Sequence, residues 1–222
     1  SGDNTVTHCI VFLDVDGVLN SNWHGSGTKA PTTVDDDDID LDLVSNLSLL
    51  VQRIHTECQL SAQLVLSTTW RHNPFQRRKL ITALKMVDLA ESLHPTSPLT
   101  PTIAQSSGSA DARNAEICAW LRQNGATEAL FLVLDDINVL FSSMGKPITS
   151  LIDDIHFIHT VAGTPLQNND DNTDSAPNIG LSRELIETAL TKLKNQQIDA
   201  ARVIPAGFSE TEWQELQQSS LP

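Results

Sequence analysis

Positive charge is scarce in this sequence. Across 222 residues, 14 Lys and Arg stand against 28 Asp and Glu, a formal net charge of −14. Non-specific attraction to nucleic acid or to an anionic membrane surface is therefore not expected, although a local basic site is compatible with the total. Cysteine is scarce too: Cys9, Cys58 and Cys118 sit inside apolar patterns with no ligand-like spacing. Buried free thiols in a reducing compartment are the expectation. No apolar run approaches ~18 residues, and no charged-then-apolar leader opens the chain, so a membrane role is not expected. Ser1-Gly2 reads as a cloning remnant, which leaves a native leader open; the expected location is intracellular, in the cytoplasm. Repeats are absent. With 40% apolar and 19% charged content, the chain is expected to form one domain over 1–222, with a core at about 8–193 and a helical tail over 194–222.

What is present begins at Cys9-Ile10-Val11-Phe12-Leu13, an apolar run too short for an ordinary helix and rich in β-branched and aromatic residues. It reads as a strand buried on both faces, with Thr5–Leu13 as its outer bounds. The run ends at Asp14-Val15-Asp16-Gly17. Both carboxylates leave the carboxyl end of the strand, where open α/β sheets bind ligands. Two like charges about 4 Å apart repel by roughly 4 kcal/mol at an effective dielectric of 20, so the pair calls for a cation. A hard, oxygen-lined site suits magnesium, which keeps several waters and takes further ligands from a phosphate. Gly17 lets the backbone turn tightly there.

Two more strands end in functional groups. Gln63–Leu66 runs into Ser67-Thr68-Thr69-Trp70-Arg71, and Ala129–Leu134 runs into Asp135-Asp136. Between and around them, Leu43, Leu47, Leu50 and Ile54 fall at helical spacing, and Phe75–Ala90 reads as a basic amphipathic helix whose cations form a solvated face. A substrate-facing basic patch is the alternative for that helix. His94–Gly108 reads as a long loop, functional or mobile at that length, with a small lid as one use. Ala110–Leu121 is a helix ended by Asn124-Gly125, with Arg113 near its start against the favourable dipole arrangement. Ile155–Val161 is a fourth strand, Asn168–Pro177 a disordered polar stretch, and Ser182 the N-cap of a helix through Leu193. Asp35–Asp38 is read as a solvated helix lead-in rather than a calcium loop, and Ser209–Glu212 as a capping box opening a last short helix. Strands alternating with helices imply an α/β fold with a mostly parallel sheet covered on both faces.

Asp-x-Asp-Gly-Val-Leu at Asp14–Leu19 resembles the first motif of the haloacid-dehalogenase-like (HAD) phosphohydrolases. Val-Leu-Ser-x-x-Trp-Arg at Val65–Arg71 and Arg-x-x-Glu-Ile-x-x-Trp-Leu at Arg113–Leu121 are similar to a HAD subgroup related to Swiss Army knife RNA-repair proteins. The resemblance implies a Rossmann-like three-layer core with a minimal cap after Asn20. It implies that Asp14 attacks phosphorus to form an aspartyl-phosphate and that Asp16 serves as acid and then base. It further implies that Ser67, or else Thr68, hydrogen-bonds the phosphoryl group, and that Arg113 fills a cationic third motif where lysine is usual. Lys79, Arg71 and Lys146 are the substitutes for that role. Asp136 is expected on the metal with Asp135 beside it, so that Asp14, Asp16, Asp135 and Asp136 make up the magnesium site.

The expected function is magnesium-dependent phosphomonoester hydrolysis on a small phosphorylated substrate. A polynucleotide-end phosphatase is the alternative, opposed by the charge of −14. A receiver-like phosphorylatable module, or a catalytically silent binding module, is the expectation from another class. Substrate identity and oligomeric state leave no mark in the sequence.

Overall fold

The computed structural model describes residues 8–20, 39–103, 109–160 and 180–201. Among the described residues four strands and four α-helices follow in the order β1 (His8–Leu13), α1 (Leu41–Cys58), β2 (Ser61–Leu66), α2 (Pro74–Met86), α3 (Ala110–Gln123), β3 (Leu130–Asp135), β4 (Phe157–His159) and α4 (Arg183–Ala201). The strands form one all-parallel sheet in the order β2-β1-β3-β4. The sheet is thus the expected α/β, Rossmann-like core.

Alternation along the central strands decides the layers. Cys9, Val11 and Leu13 point into a core shared with α1, α2 and α4, through residues such as Leu47, Leu84 and Ile186. Ile10 and Phe12 point the other way, onto Ile117, Trp120 and Leu121 of α3. Phe12 meets Trp120 edge-on with ring centroids 5.3 Å apart, and Phe131 at 6.0 Å. Because both faces are covered, these strands are apolar throughout rather than alternating. All three cysteines are buried and free, and burial pushes the Cys9 thiol up to about 12.

Helix ends follow local chemistry. Asp40 caps α1 by accepting from the Asp42 and Leu43 N–H groups, and Ser109 caps α3 through Ala112 N–H. Ser182 accepts from Leu185 N–H, as expected of an N-cap. Helix α2 stops at Met86, four residues before the bound read from the sequence, because Asp88 takes a left-handed conformation (φ 58°) and Leu89 N–H bonds back to Leu84 C=O. The fourth strand is also shorter than expected, since His156 N–H and Phe157 N–H close turns onto Asp153 and Asp154 and only Phe157–His159 pairs with β3. In place of a free loop, His94–Thr100 runs along the outer edge of β2: His94 N–H bonds to Leu64 C=O, Leu66 N–H to Pro98 C=O and Thr100 N–H to Leu66 C=O. That stretch therefore covers an edge strand, while residues 104–108 of the expected loop lie outside the described residues.

The expected cap after Asn20, the Asp35–Asp38 run, the 168–177 stretch and the Ser209–Glu212 capping box lie outside the described residues. Among the described residues no helix is long and apolar enough to cross a membrane.

Candidate active site

From β1 the chain goes outward one way to β2 and later the other way to β3, so β1 and β3 flank the point where strand order reverses. Ligands bind at the carboxyl ends of strands at such a point. Both acid pairs sit there. Asp14 N–H bonds to Leu134 C=O at 3.0 Å, which sets the end of β1 beside the end of β3. Asp14, Asp135 and Asp136 each present an oxygen atom, and these oxygens all lie within 4.8 Å of one another.

Arg113 is the counter-charge. Its Nη1 lies 3.1 Å from Asp14 Oδ1 and 3.0 Å from Asp135 Oδ2, and it donates to the Ser67 carbonyl. Arg113, Asp14 and Asp135 are all buried. Burial alone would lower the pKa of the guanidinium, but Asp135, Asp14, Glu116 and Asp136 together hold it above its ordinary value. The carboxylates respond oppositely. Burial raises Asp14, against the lowering pull of Arg113, the Val15 N–H and the Thr68 hydroxyl. Burial raises Asp135 well above the usual range, and it raises Asp136 to about 6 with Asp14 adding to the effect. One guanidinium does not neutralise three carboxylates at this separation, and the residual negative charge is what a divalent cation would offset.

The donor set fits such an ion. It consists of hard carboxylate oxygens, as magnesium or calcium prefers. Asp14 Oδ1 is buried without a hydrogen bond, although the guanidinium stands at ion-pair distance. The backbone also makes room: Gly17 has φ 68°, and a Cβ there would fall 2.5 Å from Asp136 Cβ and 2.8 Å from its carboxylate. The glycine that turns the chain after β1 also lets Asp136 reach the cluster.

Asp16 is not among those three acids but is close enough to raise Asp14 and Asp136. Trp70 Nε1 donates to both of its carboxylate oxygens at 3.1 Å, and Asn20 Nδ2 donates to Oδ1 at 2.9 Å. Asn20 Oδ1 in turn accepts from Gly17 N–H, so the turn and the acid are fixed together. Ser67 and Thr68 end β2, with Ser67 N–H bonded to Leu13 C=O at 2.9 Å. Ser67 Oγ is buried with no partner, whereas Thr68 Oγ1 accepts from Trp70 N–H as the cap of the 3-10 turn Thr69–His72.

Of the four cations considered for the third motif, Arg113 is the one set against Asp14. Arg71 is occupied elsewhere: it donates to Thr68 C=O at 2.7 Å and pairs with Glu116 at 2.6 Å inside the core. Lys79 stands 5.2 Å from the Phe75 ring on α2, and Lys146 is exposed on the loop after β3.

Several contributors lack a signal of their own in the sequence. Asn20 belongs to that group, and so do Thr160 and His159. Thr160 Oγ1 donates to Gly17 C=O at 2.8 Å, and the His159 ring contacts Asp136 C=O at 2.8 Å. Trp70 had a signal, the Trp-Arg pair after β2, but its reach to Asp16 is visible only in three dimensions.

The model of the HAD domain in Swiss Army Knife RNA repair proteins matches residues 10–171. The chain belongs to that family, and with it to the hydrolase- and phosphatase-like HAD domains, whose members ordinarily use a divalent metal. No curated protein and no solved structure matches the chain.

Proposed function

We propose that this protein is a magnesium-dependent phosphomonoester hydrolase acting through an aspartyl-phosphate on Asp14. The observation that carries the reading is the buried, hydrogen-bond-free Oδ1 of Asp14, set in a three-acid cluster and faced by Arg113. Such an oxygen is desolvated and aimed, as a carboxylate nucleophile requires. It attacks phosphorus, the bond to the leaving oxygen breaks, and Asp16 gives that oxygen a proton. Asp16 then takes a proton from the water that releases phosphate, so the acid of the first step is the base of the second. Trp70 and Asn20 keep its carboxylate in place for both. Ser67 Oγ, left without a partner, is the proposed phosphoryl donor, with the Thr68 hydroxyl beside it. Magnesium held by Asp14, Asp135 and Asp136 would supply positive charge to the phosphoryl oxygens. Three buried free thiols are in keeping with a cytoplasmic location.

A small phosphorylated substrate is the simplest reading for so acidic a chain. The family's association with RNA repair favours a second, removal of phosphate from a polynucleotide end. Phosphate release from phosphorylated metabolites and from oligonucleotide ends, with and without magnesium, separates the two. Release that depends on magnesium and disappears in Asp14→Asn is the expected result. No release from any phosphomonoester, or equal release by Asp14→Asn, would overturn the proposal.

A further inference from the structure

Helix α2 concentrates what the rest of the chain lacks. Its 13 residues, Pro74–Met86, contain Arg77, Arg78, Lys79 and Lys85 and no acid, in a chain of net charge −14. Three of these cations follow closely on the helix N-terminus, where the dipole disfavours them. Arg77, Arg78 and Lys85 are exposed, and no described carboxylate pairs with them. The same helix exposes large apolar side chains. Phe75 and Met86 are each 64% exposed, and Leu41 at the start of α1 is 48% exposed. Together with Ile39, Arg78 and Lys79 they line a groove of about 370 Å³. That volume falls within the range of ligand sites, ~300–1,000 Å³.

No acid of the cluster lines this groove, so it does not hold the reacting phosphate. Both of its walls nevertheless start from the active-site loops. Asn73, which caps α2, bonds through its N–H to the carbonyl of Trp70, the residue that grips Asp16. On the other wall Asp40 N–H bonds to Leu19 C=O, one residue from Asn20. The groove presents the exposed Phe75 ring and the exposed Arg78, with Lys85 exposed two turns further along the same helix. Single-stranded nucleic acid is recognised by that combination, bases stacking on aromatic faces and phosphates on a basic track.

We propose that the α2 groove is a docking surface for a single-stranded polynucleotide whose terminal phosphate enters the Asp14 site, with Phe75 as stacking platform and Arg78 and Lys85 as phosphate contacts. This rests on the phosphohydrolase reading and decides between its two substrate classes. On a surface otherwise repelling polyanions, the helix provides a local attraction that the total charge conceals.

The test uses the full chain carrying Asp14→Asn, so that substrate is not consumed, and a fluorescent single-stranded oligonucleotide with a terminal phosphate. In that background Phe75→Ala and Arg78→Glu should each weaken binding about fivefold or more, and Arg78→Glu should flatten its salt dependence. In the parent background the same substitutions should leave hydrolysis of a small aryl phosphate within about twofold, which shows an intact fold and site. Unchanged oligonucleotide affinity in a Phe75→Ala/Arg78→Glu double variant would overturn the proposal and give the groove to another occupant. If the parent hydrolyses nothing and the variants still lose oligonucleotide affinity, the docking surface stands and the hydrolase reading fails.

Discussion

Replacing Arg113 by alanine removes one group that three buried partners share. Nη1 alone contacts Asp14 Oδ1 at 3.1 Å, Asp135 Oδ2 at 3.0 Å and the Ser67 carbonyl. Removing one partner of a buried ion pair costs about 3–5 kcal/mol, because the remaining charges are left uncompensated. For a chain of this length that corresponds to a fall in Tm of roughly 6–20 °C. The sign of the pH dependence identifies the cause. The carboxyls of Asp14 and Asp135 already sit above their ordinary values, and losing the guanidinium raises them further. A carboxyl whose folded pKa is raised contributes stability below its unfolded pKa and loses it as pH rises through the folded value. The gap in Tm between parent and Arg113→Ala should therefore be widest near neutral pH and shrink as pH falls toward about 4, and magnesium should narrow it at neutral pH. Activity should fall at least about a hundredfold in kcat/KM, roughly 3 kcal/mol. Since one nitrogen makes all three contacts, a lysine ammonium can replace it in part, and Arg113→Lys should lie between alanine and the parent. Thermal melts across pH with matched kinetics test this. A gap of the same size at pH 4.5 and pH 7.5 would mean lost packing, and activity within a fewfold of the parent would remove Arg113 from the site.

Gly17→Ala should lower Tm and abolish stabilisation by magnesium, because the added Cβ meets Asp136 Cβ at 2.5 Å. Gly125→Ala is its control: Gly125 has a similar φ of 63° with nothing within 4 Å of the added atom, so it should cost only the roughly 1–2 kcal/mol of left-handed strain and leave the metal response intact. Magnesium affinity, followed by calorimetry, should rise as pH increases through about 6, the value to which Asp136 is pushed; Asp136→Asn should bind magnesium more weakly at every pH. An affinity independent of pH between 5 and 7 would remove Asp136 from the metal. Trp70→Phe removes the indole donor to both Asp16 oxygens and should lower kcat about tenfold or more with KM little changed; an unaltered kcat would show that Asp16 needs no such support.

The acid pairs were legible because a strand buried on both faces has no other reason to end in adjacent carboxylates, and Asp14 and Asp136 do converge. Arg113 was legible for a related reason: a cation in the first turn of a helix opposes the dipole and needs compensation elsewhere. Trp70 and Asn20 were not, since their contacts with Asp16 join segments that no periodicity relates. Glu116 lay within a motif, yet its pairing with Arg71 depends on how α3 crosses the turn after β2. The short β4 and the early end of α2 escaped because both depend on single turns, at Asp153–Phe157 and at Asp88, where no glycine marks the break. The pairing of His94–Thr100 along β2 was hidden by composition: its Pro, Ser and Thr residues are those of a loop, and the contacts are mostly made by the backbone. On α2 the pattern of cations was plain, but that Arg77, Arg78 and Lys85 stay exposed was a matter of three dimensions.

The central claim is that Asp14 is covalently phosphorylated during turnover. Acid-quenching the enzyme while it hydrolyses a phosphorylated substrate with magnesium, followed by peptide mass spectrometry, tests it most directly. The account requires one phosphoryl group on the peptide bearing Asp14 in the parent, none without magnesium and none in Asp14→Asn. Sustained hydrolysis with no phosphoryl group on that peptide, or with the group on another residue, would contradict it.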